Sequence, residues 1–514
     1  MSANNDGLAS GLSFDWARPS AILGVATLGA HLVANGNYDF FRDELYFIVC
    51  GQHPAWGYVD QPPLVPLLAA GSYALSGGAL LAFRLLPALV LTATVALTAE
   101  FVRIIGGGRF AQWLAGLCAL LAPVFLIQGV LVSTDMFQAL TWLGLAWVLV
   151  RLEQTGNERL WLVFGLIAGF SLQTKYAIAF FLVALATGLL ATPQRKSLLR
   201  PWVYLGALVA AVLVLPNVLW QQAHGWPFLE LGQAAVSGKN AVLSPFEYFA
   251  QQFLLVGPLG MVVVLCGLYA GVVRPRLMTA RALAIAWLVL FAIFDTQHGK
   301  PYYLAPIYPA LLAFGALRLE QWLGKAVARG AALATVTVLG VLMAPLALPI
   351  LPVETFIRYQ QAIGAAPPST GERLKIGVLP QHYADMFGWR EMAAKVAEVY
   401  RSLPAEDQTR AAFFGNNYGE AAAIDIYGRR LGLPPAISGH NNYYLWGPRG
   451  HDGSVIIIIG GNAGRYAEMF RSSRVAGWID SPYAMPYETN LPIYVLYGMK
   501  TPLESSWPQV RHYE

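Results

Sequence analysis

Residues 35–68 read NGNYDFFRDELYFIVCGQHPAWGYVDQPPLVPLL, the densest mixture of aromatic and ionisable side chains in the sequence. The stretch follows directly on an apolar run at 19–36 and is followed by a second at 80–102. Aromatic rings that alternate with charged groups are typical of segments held at the headgroup level of a bilayer. We therefore predict a long loop on one membrane surface, between two transmembrane helices.

The composition agrees with a membrane protein. Hydrophobic residues make up 56% of the 514 residues and charged residues only 12%, against about 25% charged in a typical soluble domain. Apolar runs long enough to cross a bilayer lie at 19–36, 80–102, 111–130, 136–150, 160–172, 177–192, 202–219, 250–272, 282–294, 303–317 and 331–351. The sequence predicts a polytopic α-helical protein with about 11–13 transmembrane helices, plus an interfacial helix in the proline-rich stretch 62–77.

The charge distribution changes near Pro352. Residues 1–352 contain 19 Lys/Arg and 14 Asp/Glu, whereas 353–514 contain 15 of each in less than half the length. This change predicts a transmembrane domain at 1–352 and a water-soluble domain at 353–514. In the latter, the predicted strands are RLKIGVLP, RAAFFGNN, SVIIIIGG and LPIYVLYG, and the predicted helices are 389–402 and 463–471. We therefore expect a small α/β domain.

The basic residues predict the orientation. Five loops, at 103–109, 151–159, 193–200, 274–281 and 318–329, together carry 13 Lys/Arg. The alternate loops carry only Arg42, Lys175, Lys239 and Lys300. By the positive-inside rule the first set is cytoplasmic. The N-terminus is then cytoplasmic, and the first 18 residues lack the basic start and cleavage site of a signal peptide. The domain at 353–514 is expected outside the cytoplasm.

Acids gather on the outer face, and the adjacent pair Asp43 and Glu44 lies within the aromatic loop. A carboxylate pair at a membrane surface can act as a general base, with one acid shifting the pKa of the other. The alternative is a solvated turn that happens to contain two acids. The length and aromatic content of the loop favour the functional interpretation, and we take 37–77 as the candidate catalytic loop.

Other ionisable residues lie at the outer ends of apolar runs. These candidates are Asp135, Lys175, Lys300 with Tyr302 and Tyr303, and Arg84, with His53 and Gln61 in the first loop. A lysine or arginine there can bind a phosphate, and a tyrosine can donate a hydrogen bond to it. The alternatives are a helix cap for Asp135 and snorkelling side chains with aromatic anchors for the lysines.

Several classes of site are absent from the sequence. There is no Walker A loop, no G-x-G-x-x-G after a strand and no HExxH, and Cys50, Cys118 and Cys266 show no metal-ligand spacing. The surplus of basic residues follows membrane topology, so no nucleic-acid partner is expected. No cofactor is certain. The acids could gather a divalent cation, although no ligand spacing requires one.

The chain resembles bacterial glycosyltransferase family 39, relatives of protein O-mannosyltransferases and of the aminoarabinose transferase that modifies lipid A. The resemblance rests on the acidic pair, the QPPL segment, the arginine of the second span, the TD before the fourth, the TK of the fifth loop and GKPYYLAP. The segments LPQHYADMFGW, NNYGEAAAIDIYG and PPAISGHNNYYLWG resemble the outer domain of one bacterial subgroup. The order of these motifs is more specific than any one of them.

The resemblance implies a glycosyltransferase C fold in the bacterial inner membrane. It also implies inverting transfer of a sugar from a polyprenyl-phosphate donor to a hydroxyl or phosphate of lipid A, another envelope glycan, a glycolipid or a protein. Asp43 would be the catalytic base, and Glu44 would tune it or contact the acceptor. Asp135 would hold the acceptor or order the loop. Lys300 and Tyr303, with Arg84 or Lys175, would bind the departing phosphate.

One position departs from the family. The relatives that modify lipid A carry a lysine before the first proline of the QPPL segment, where this chain has Gln61. The donor or acceptor is therefore expected to differ from aminoarabinose and lipid A. Two other functions fit a polytopic chain, namely a transporter or flippase and a ligase or polymerase of the O-antigen type. Acids confined to one face and the absence of a visible repeat favour the transferase.

Overall fold

The computed structural model describes residues 18–273, 275–365 and 372–514. The expectation that the extreme N-terminus is cytoplasmic and carries no signal peptide falls on residues 1–17, outside the described residues. The described part of the membrane half is helical, and the C-terminal half contains a five-stranded sheet with flanking helices. The predicted fold class, a helical membrane domain followed by a small α/β domain, is confirmed.

Each apolar run of the sequence forms helix. The helices of the membrane half are α1 Pro19–Ala34, α2 Arg42–Gln52, α3 Leu64–Ser76, α4 Leu80–Phe83, α5 Leu85–Ile104, α6 Arg109–Leu121, α7 Pro123–Val130, α8 Gln138–Thr155, α9 Leu160–Leu172, α10 Ile178–Leu190, α11 Pro201–Ala223, α12 Pro227–Ala234, α13 Pro245–Val256, α14 Pro258–Val273, α15 Met278–Thr296, α16 Tyr308–Trp322 and α17 Ala326–Met343. Proline begins six of them, because its missing N–H costs nothing in the first turn.

By length and apolar composition, four helices among the described residues can cross a membrane, or up to seven if bent pairs count as single spans. The total of eleven or more spans stays a prediction. The run at 250–272 is not one helix as predicted, since α13 and α14 meet at 113°. Gly257 has a φ of 78° and Pro258 has no amide hydrogen, so the helix cannot continue through this point.

Helix pairs in the membrane half approach closely through glycines. A Cβ on Gly315 of α16 would overlap the carbonyl oxygen of Val263 on α14. The same holds for Gly165 of α9 against Gly206 of α11. Small residues at such crossings let helix backbones touch in a membrane, where dispersion rather than the hydrophobic effect holds helices together.

In the C-terminal domain, residues 353–514, short helices flank a sheet. The strands are β1 Ala411–Gly415, β2 Ile437–Ser438, β3 Val455–Ile459, β4 Phe470–Ile479 and β5 Leu491–Met499. The helices are α18 Val353–Ala362, α19 Gln381–Ala384, α20 Trp389–Arg401, α21 Ala405–Arg410, α22 Tyr418–Ile426, α23 Asn442–Trp446, α24 Ala463–Met469 and α25 Leu503–Ser506. The strand order is β2-β1-β3-β5-β4, with β1 parallel to β2 and β3, and β5 antiparallel to β3 and β4.

Three of the four predicted strands are present, and the fourth is wrong. Residues 373–380 form no strand, because Arg373 instead bonds the backbone oxygens of Lys239 and Asn240 in the membrane half. Strand β4 was not predicted. Most of its residues are exposed, since it is an edge strand that pairs on one side only.

The C-terminal domain rests on the first outer loop. Leu45, Tyr46 and Val49 of α2 are buried in the same apolar cluster as Ala421 and Ile424 of α22. A hydrogen bond adds to this contact, since the Val59 backbone amide donates to the Asn442 side chain. The loop between the first two spans is therefore a packed layer between membrane helices and soluble domain.

Candidate active site

Asp43 lies in the first turn of α2, where the loop turns under the C-terminal domain. Its side chain is 33% exposed. The Tyr418 hydroxyl donates to Asp43 Oδ1 at 2.8 Å, and Arg42 Nε lies 3.4 Å from the same oxygen. Among the described residues no donor occupies Oδ2. The carboxylate is fixed through one oxygen and can accept a proton from a substrate through the other.

Glu44 has a different environment from its neighbour. Its carboxylate and the Arg84 guanidinium are both 0% exposed and meet at 2.7 Å. Glu44 also accepts from the backbone amides of Phe41 and Val132, so it caps α2 and joins two outer loops. In this structure Glu44 and Arg84 are enclosed and engage each other, and their suggested substrate contacts stay predictions.

Asp135 and Lys175 form a second ion pair near the outer ends of α8 and α10. Lys175 Nζ donates to Asp135 Oδ2 at 2.6 Å, and both side chains are about one-sixth exposed, at 17% and 16%. The same ammonium lies 4.9 Å from the ring centre of Tyr303 and 5.6 Å from that of Tyr302. Four predicted candidates are thus brought together.

Lys300 pairs with an acid that the sequence did not indicate. Its ammonium donates to Glu372 Oε1 at 2.6 Å, and Lys239 Nζ lies 4.0 Å from that oxygen. Burial raises the pKa of Glu372, but Lys300 and Lys239 outweigh burial and hold this pKa at about 2. Burial and the neighbouring Lys300 lower the pKa of Lys239, against the pull of Glu372. Lys300 and Lys239 together carry two positive charges against the one negative charge of Glu372, so this side of the site is positive. We call these two residues the lysine wall.

These groups lie near one another, in a region that we call the cleft of Asp43, because the charges of Asp43, Asp135 and Glu372 all act on Tyr302. Burial raises the pKa of Tyr302 well above its ordinary value, and the neighbouring Tyr303, Asp135, Glu372 and Asp43 raise it further. Burial lowers the pKa of Lys300, but Glu372 and, more weakly, Asp43 reverse the shift and raise it. The candidate base therefore lies within electrostatic reach of both the tyrosine cluster and the lysine wall.

Asp60 is a further acid of this cleft. The Tyr46 hydroxyl donates to its Oδ1 at 3.0 Å. Burial raises the pKa of Asp60 to about 7, partly opposed by the Tyr46 hydrogen bond. The charge of Asp43 raises this pKa a little more, and that of Lys239 lowers it. The sequence marked Asp60 only as one of the outer-face acids.

The last two sequence candidates differ in position. His53 lies at the other end of α2 and stacks on Trp446 of the C-terminal domain, with ring centres 4.5 Å apart. Gln61 is 1% exposed, and among the described residues neither atom of its side-chain amide has a hydrogen-bond partner. His53 is not brought to the Asp43 cleft, whereas Gln61 follows Asp60 directly.

One group of metal-ligating side chains occurs among the described residues, namely His440, His512 and Glu514. His440 Nδ1 accepts from the Tyr418 amide, and its Nε2 bonds the Glu514 carbonyl. Both nitrogens are thus used within the chain, and the histidine supports the segment that begins with Tyr418. We assign no step of the chemistry to a metal ion.

A solved structure has a similar architecture to this chain. ArnT from Cupriavidus metallidurans, bound to undecaprenyl phosphate, superposes with a TM-score of 0.61 at 15% identity, over 92% of this chain and 97% of that one. Its apo state gives 0.60. The family model for dolichyl-phosphate-mannose-protein mannosyltransferases matches residues 60–220. The chain is therefore similar to the glycosyltransferase family 39 group over this part of its length. The resemblance read from the sequence is confirmed, and the fold is that of ArnT.

A curated relative matches part of this chain. Lipid A galacturonosyltransferase RgtD of Rhizobium johnstonii is 29% identical over 236 residues. The match takes in 45% of this chain and spans about half of the relative, 49% of its length. The comparisons favour the transferase over the transporter and ligase alternatives.

Proposed function

We propose that this chain transfers a sugar from a polyprenyl-phosphate donor to a hydroxyl or phosphate acceptor, with inversion, on the outer face of the bacterial inner membrane. The observation that carries the proposal is a partly exposed carboxylate, that of Asp43, within electrostatic reach of the two lysines Lys300 and Lys239. A base and a phosphate site are the two things that such a transfer needs.

Asp43 is the base in this mechanism. Its free oxygen, Oδ2, takes the proton of the acceptor hydroxyl as the acceptor oxygen attacks the anomeric carbon. Tyr418 keeps the carboxylate in place through the other oxygen, Oδ1. The bond between the anomeric carbon and the phosphate oxygen breaks on the opposite face of the sugar, so one displacement inverts the configuration.

The lysine wall stabilises the leaving group. Departure leaves a lipid phosphate, whose growing charge Lys300 and Lys239 can stabilise without a proton donor. Tyr302 and Tyr303 stand beside Lys175 and can donate hydrogen bonds to the same phosphate. A phosphate leaving group also agrees with the lack of nucleotide-binding motifs, since no nucleotide has to be held.

The relatives suggest where to look for the substrates. RgtD is by name a lipid A galacturonosyltransferase, and ArnT was solved with undecaprenyl phosphate. Lipid A is therefore the first acceptor to test, and an acidic sugar the first donor. Mass spectrometry of lipid A and envelope glycans, from cells with and without this chain, should show one added sugar only in its presence. Identical spectra for every envelope glycan would contradict the proposal.

Asp43→Asn tests the mechanism directly. It keeps the size of the side chain but removes the base, so we expect transfer to fall about 10²-fold or more. Donor lipid binding should persist, because the phosphate is held elsewhere. Glu468→Gln, an exposed acid on α24, is the matched control and should leave the rate unchanged. A folded Asp43→Asn protein with the wild-type rate would remove Asp43 from the mechanism.

A further inference from the structure

A cavity of about 390 Å³ lies where the C-terminal end of α2 meets the C-terminal domain. Its lining residues are Gln52, His53, Asp425, Arg429, Pro435, Trp446 and Arg449. Gln52 is nine residues from Asp43, or roughly 14 Å along the helix and on its opposite face. The cavity is therefore separate from the cleft of the candidate base. Its volume falls within the range of small-molecule sites, about 300–1,000 Å³.

The cavity carries a surplus of positive charge. Asp425 is its one acid, and this carboxylate is already satisfied from within the domain. Asp425 accepts from the Ala436 amide at 2.9 Å, the Tyr443 hydroxyl at 2.9 Å and Arg449 Nη1 at 3.1 Å. Arg429 is exposed and forms no salt bridge with any residue that the structure describes. The charge of Arg449 is thus neutralised only in part, and that of Arg429 is not neutralised by any described residue.

Arg449 is held rigidly with bonding capacity to spare. Asp425 binds one terminal nitrogen, and the guanidinium lies 5.2 Å from the Trp446 ring, whose plane also stacks on His53. The other terminal nitrogen, Nη2, is buried and has no hydrogen-bond partner among the described residues. A buried donor left unpaired is costly, and it is satisfied most strongly by an anion.

We infer that this cavity binds a phosphate monoester carried on a sugar of the acceptor, away from the hydroxyl that is glycosylated. Two arginines match the charge and the forked geometry of a phosphate. The Gln52 amide and the His53 ring stand beside them and can bond sugar hydroxyls. The inference rests on the proposed transfer and adds a second recognition point to it, roughly 14 Å along α2 from the base.

Binding can be measured without any transfer. The full chain in phosphatidylcholine nanodiscs would be titrated by calorimetry with glucosamine 1-phosphate, and with glucosamine as the comparison that lacks the phosphate. We expect only the phosphate to bind, and Arg429→Gln and Arg449→Gln each to weaken its Kd about tenfold or more. Arg474→Gln, an exposed arginine on β4, should leave the Kd unchanged. Arg429 has no side-chain partner among the described residues, so its variant keeps the test valid if Arg449→Gln fails to fold.

Further arms separate the possible outcomes. Equal Kd values for wild type and the Arg429→Gln variant would overturn the inference. Arginine-dependent binding to nanodiscs that contain phosphatidic acid, without binding of the sugar phosphate, would overturn it in favour of a lipid headgroup.

Asp43→Asn protein should bind the sugar phosphate normally. If transfer itself proves absent while arginine-dependent binding persists, the proposed function fails and the phosphate site stands. In transfer assays, Arg429→Gln should raise KM for a phosphorylated acceptor and spare kcat.

Discussion

Asp43 and Glu44 are adjacent in sequence, yet their carboxylates have opposite surroundings. Asp43 faces the cleft, whereas Glu44 is enclosed with Arg84. In a helix, successive residues point about 100° apart, so one acid can face a substrate while the next joins the protein interior. Asp43 is therefore the candidate base of the pair, and Glu44 joins parts of the protein interior.

Glu44→Gln should show the structural role. The change leaves the Arg84 charge buried without its partner, and breaking such a pair costs about 3–5 kcal/mol. We expect a marked fall in the thermal midpoint of the purified protein. The double variant Glu44→Gln/Arg84→Met should recover part of it, since no charge is then stranded. Glu398→Gln, from an exposed pair with Lys395, should shift the midpoint little. Unchanged stability of Glu44→Gln would contradict the assigned role.

Asp60 gives the protein a pH-dependent stability. Its pKa is raised to about 7 in the fold, above the ordinary value near 3.8, so the folded state binds the proton more tightly than the unfolded state. The contribution is fully present below about pH 4 and is lost as pH rises through 7. Thermal midpoints from pH 5 to 8 should fall for the wild type and change less for Asp60→Asn. Parallel profiles of the two proteins would show that Asp60 does not titrate in this window.

At the scale of elements, glycines set the distance between the membrane helices. A Cβ on Gly315 would overlap the backbone of α14, whereas one on Gly144 of α8 would reach only Ile167 side-chain atoms, at 3.5 Å. Gly315→Ala should therefore push α14 and α16 apart and lower the yield and thermal midpoint of the purified protein. Gly144→Ala should be tolerated and serves as the control. Equal stability of the two variants would show that the α14–α16 crossing can relax.

The elements also show which parts of the structure a sequence can reveal. Apolar length predicts the helices of the membrane half, and runs such as VIIII predict buried strands. The exposed strand β4 carries no such signal, because only its pairing with β5 makes it a strand. The sequence contains Gly257-Pro258, a dipeptide that can break a helix. It does not show the sharp angle between the two helices.

The site was predictable to the same extent. Asp43, Asp135, Lys175 and Lys300 stand out because charges are rare beside apolar runs. Their partners do not stand out, since Glu372 and Tyr418 lie in a domain where charges and aromatics are common. A single sequence shows that a membrane lysine needs a partner, but not which distant residue supplies it.

At the scale of the whole molecule, the first outer loop and the C-terminal domain lie on the same side of the membrane. Arg390 of α20 donates to Asp39 at 2.5 Å, and Tyr418 to Asp43, so no bilayer separates them. The ten predicted spans after the first loop are an even number and agree with this placement. The basic loops are predicted on the opposite side, and the positive-inside rule then predicts that both parts lie outside the cytoplasm.

A reporter fused after Glu514 tests that orientation. An enzyme that is active only outside the cytoplasm should be active at this position and inactive when inserted in the basic loop 193–200. A reporter that requires the cytoplasm should give the reverse result. Cytoplasmic activity at Glu514 would overturn the orientation and the face proposed for the reaction.

The Tyr418–Asp43 hydrogen bond has a consequence for the biosynthesis of the protein. Its two partners are 375 residues apart in the chain. At a synthesis rate of about 5–20 residues per second, roughly 20–75 s pass between the emergence of the carboxylate and that of the tyrosine. During this interval the helices can enter the bilayer before Asp43 has this hydrogen-bond partner. A chain that ends before Tyr418 would therefore carry the Asp43 carboxylate without the bond that fixes it.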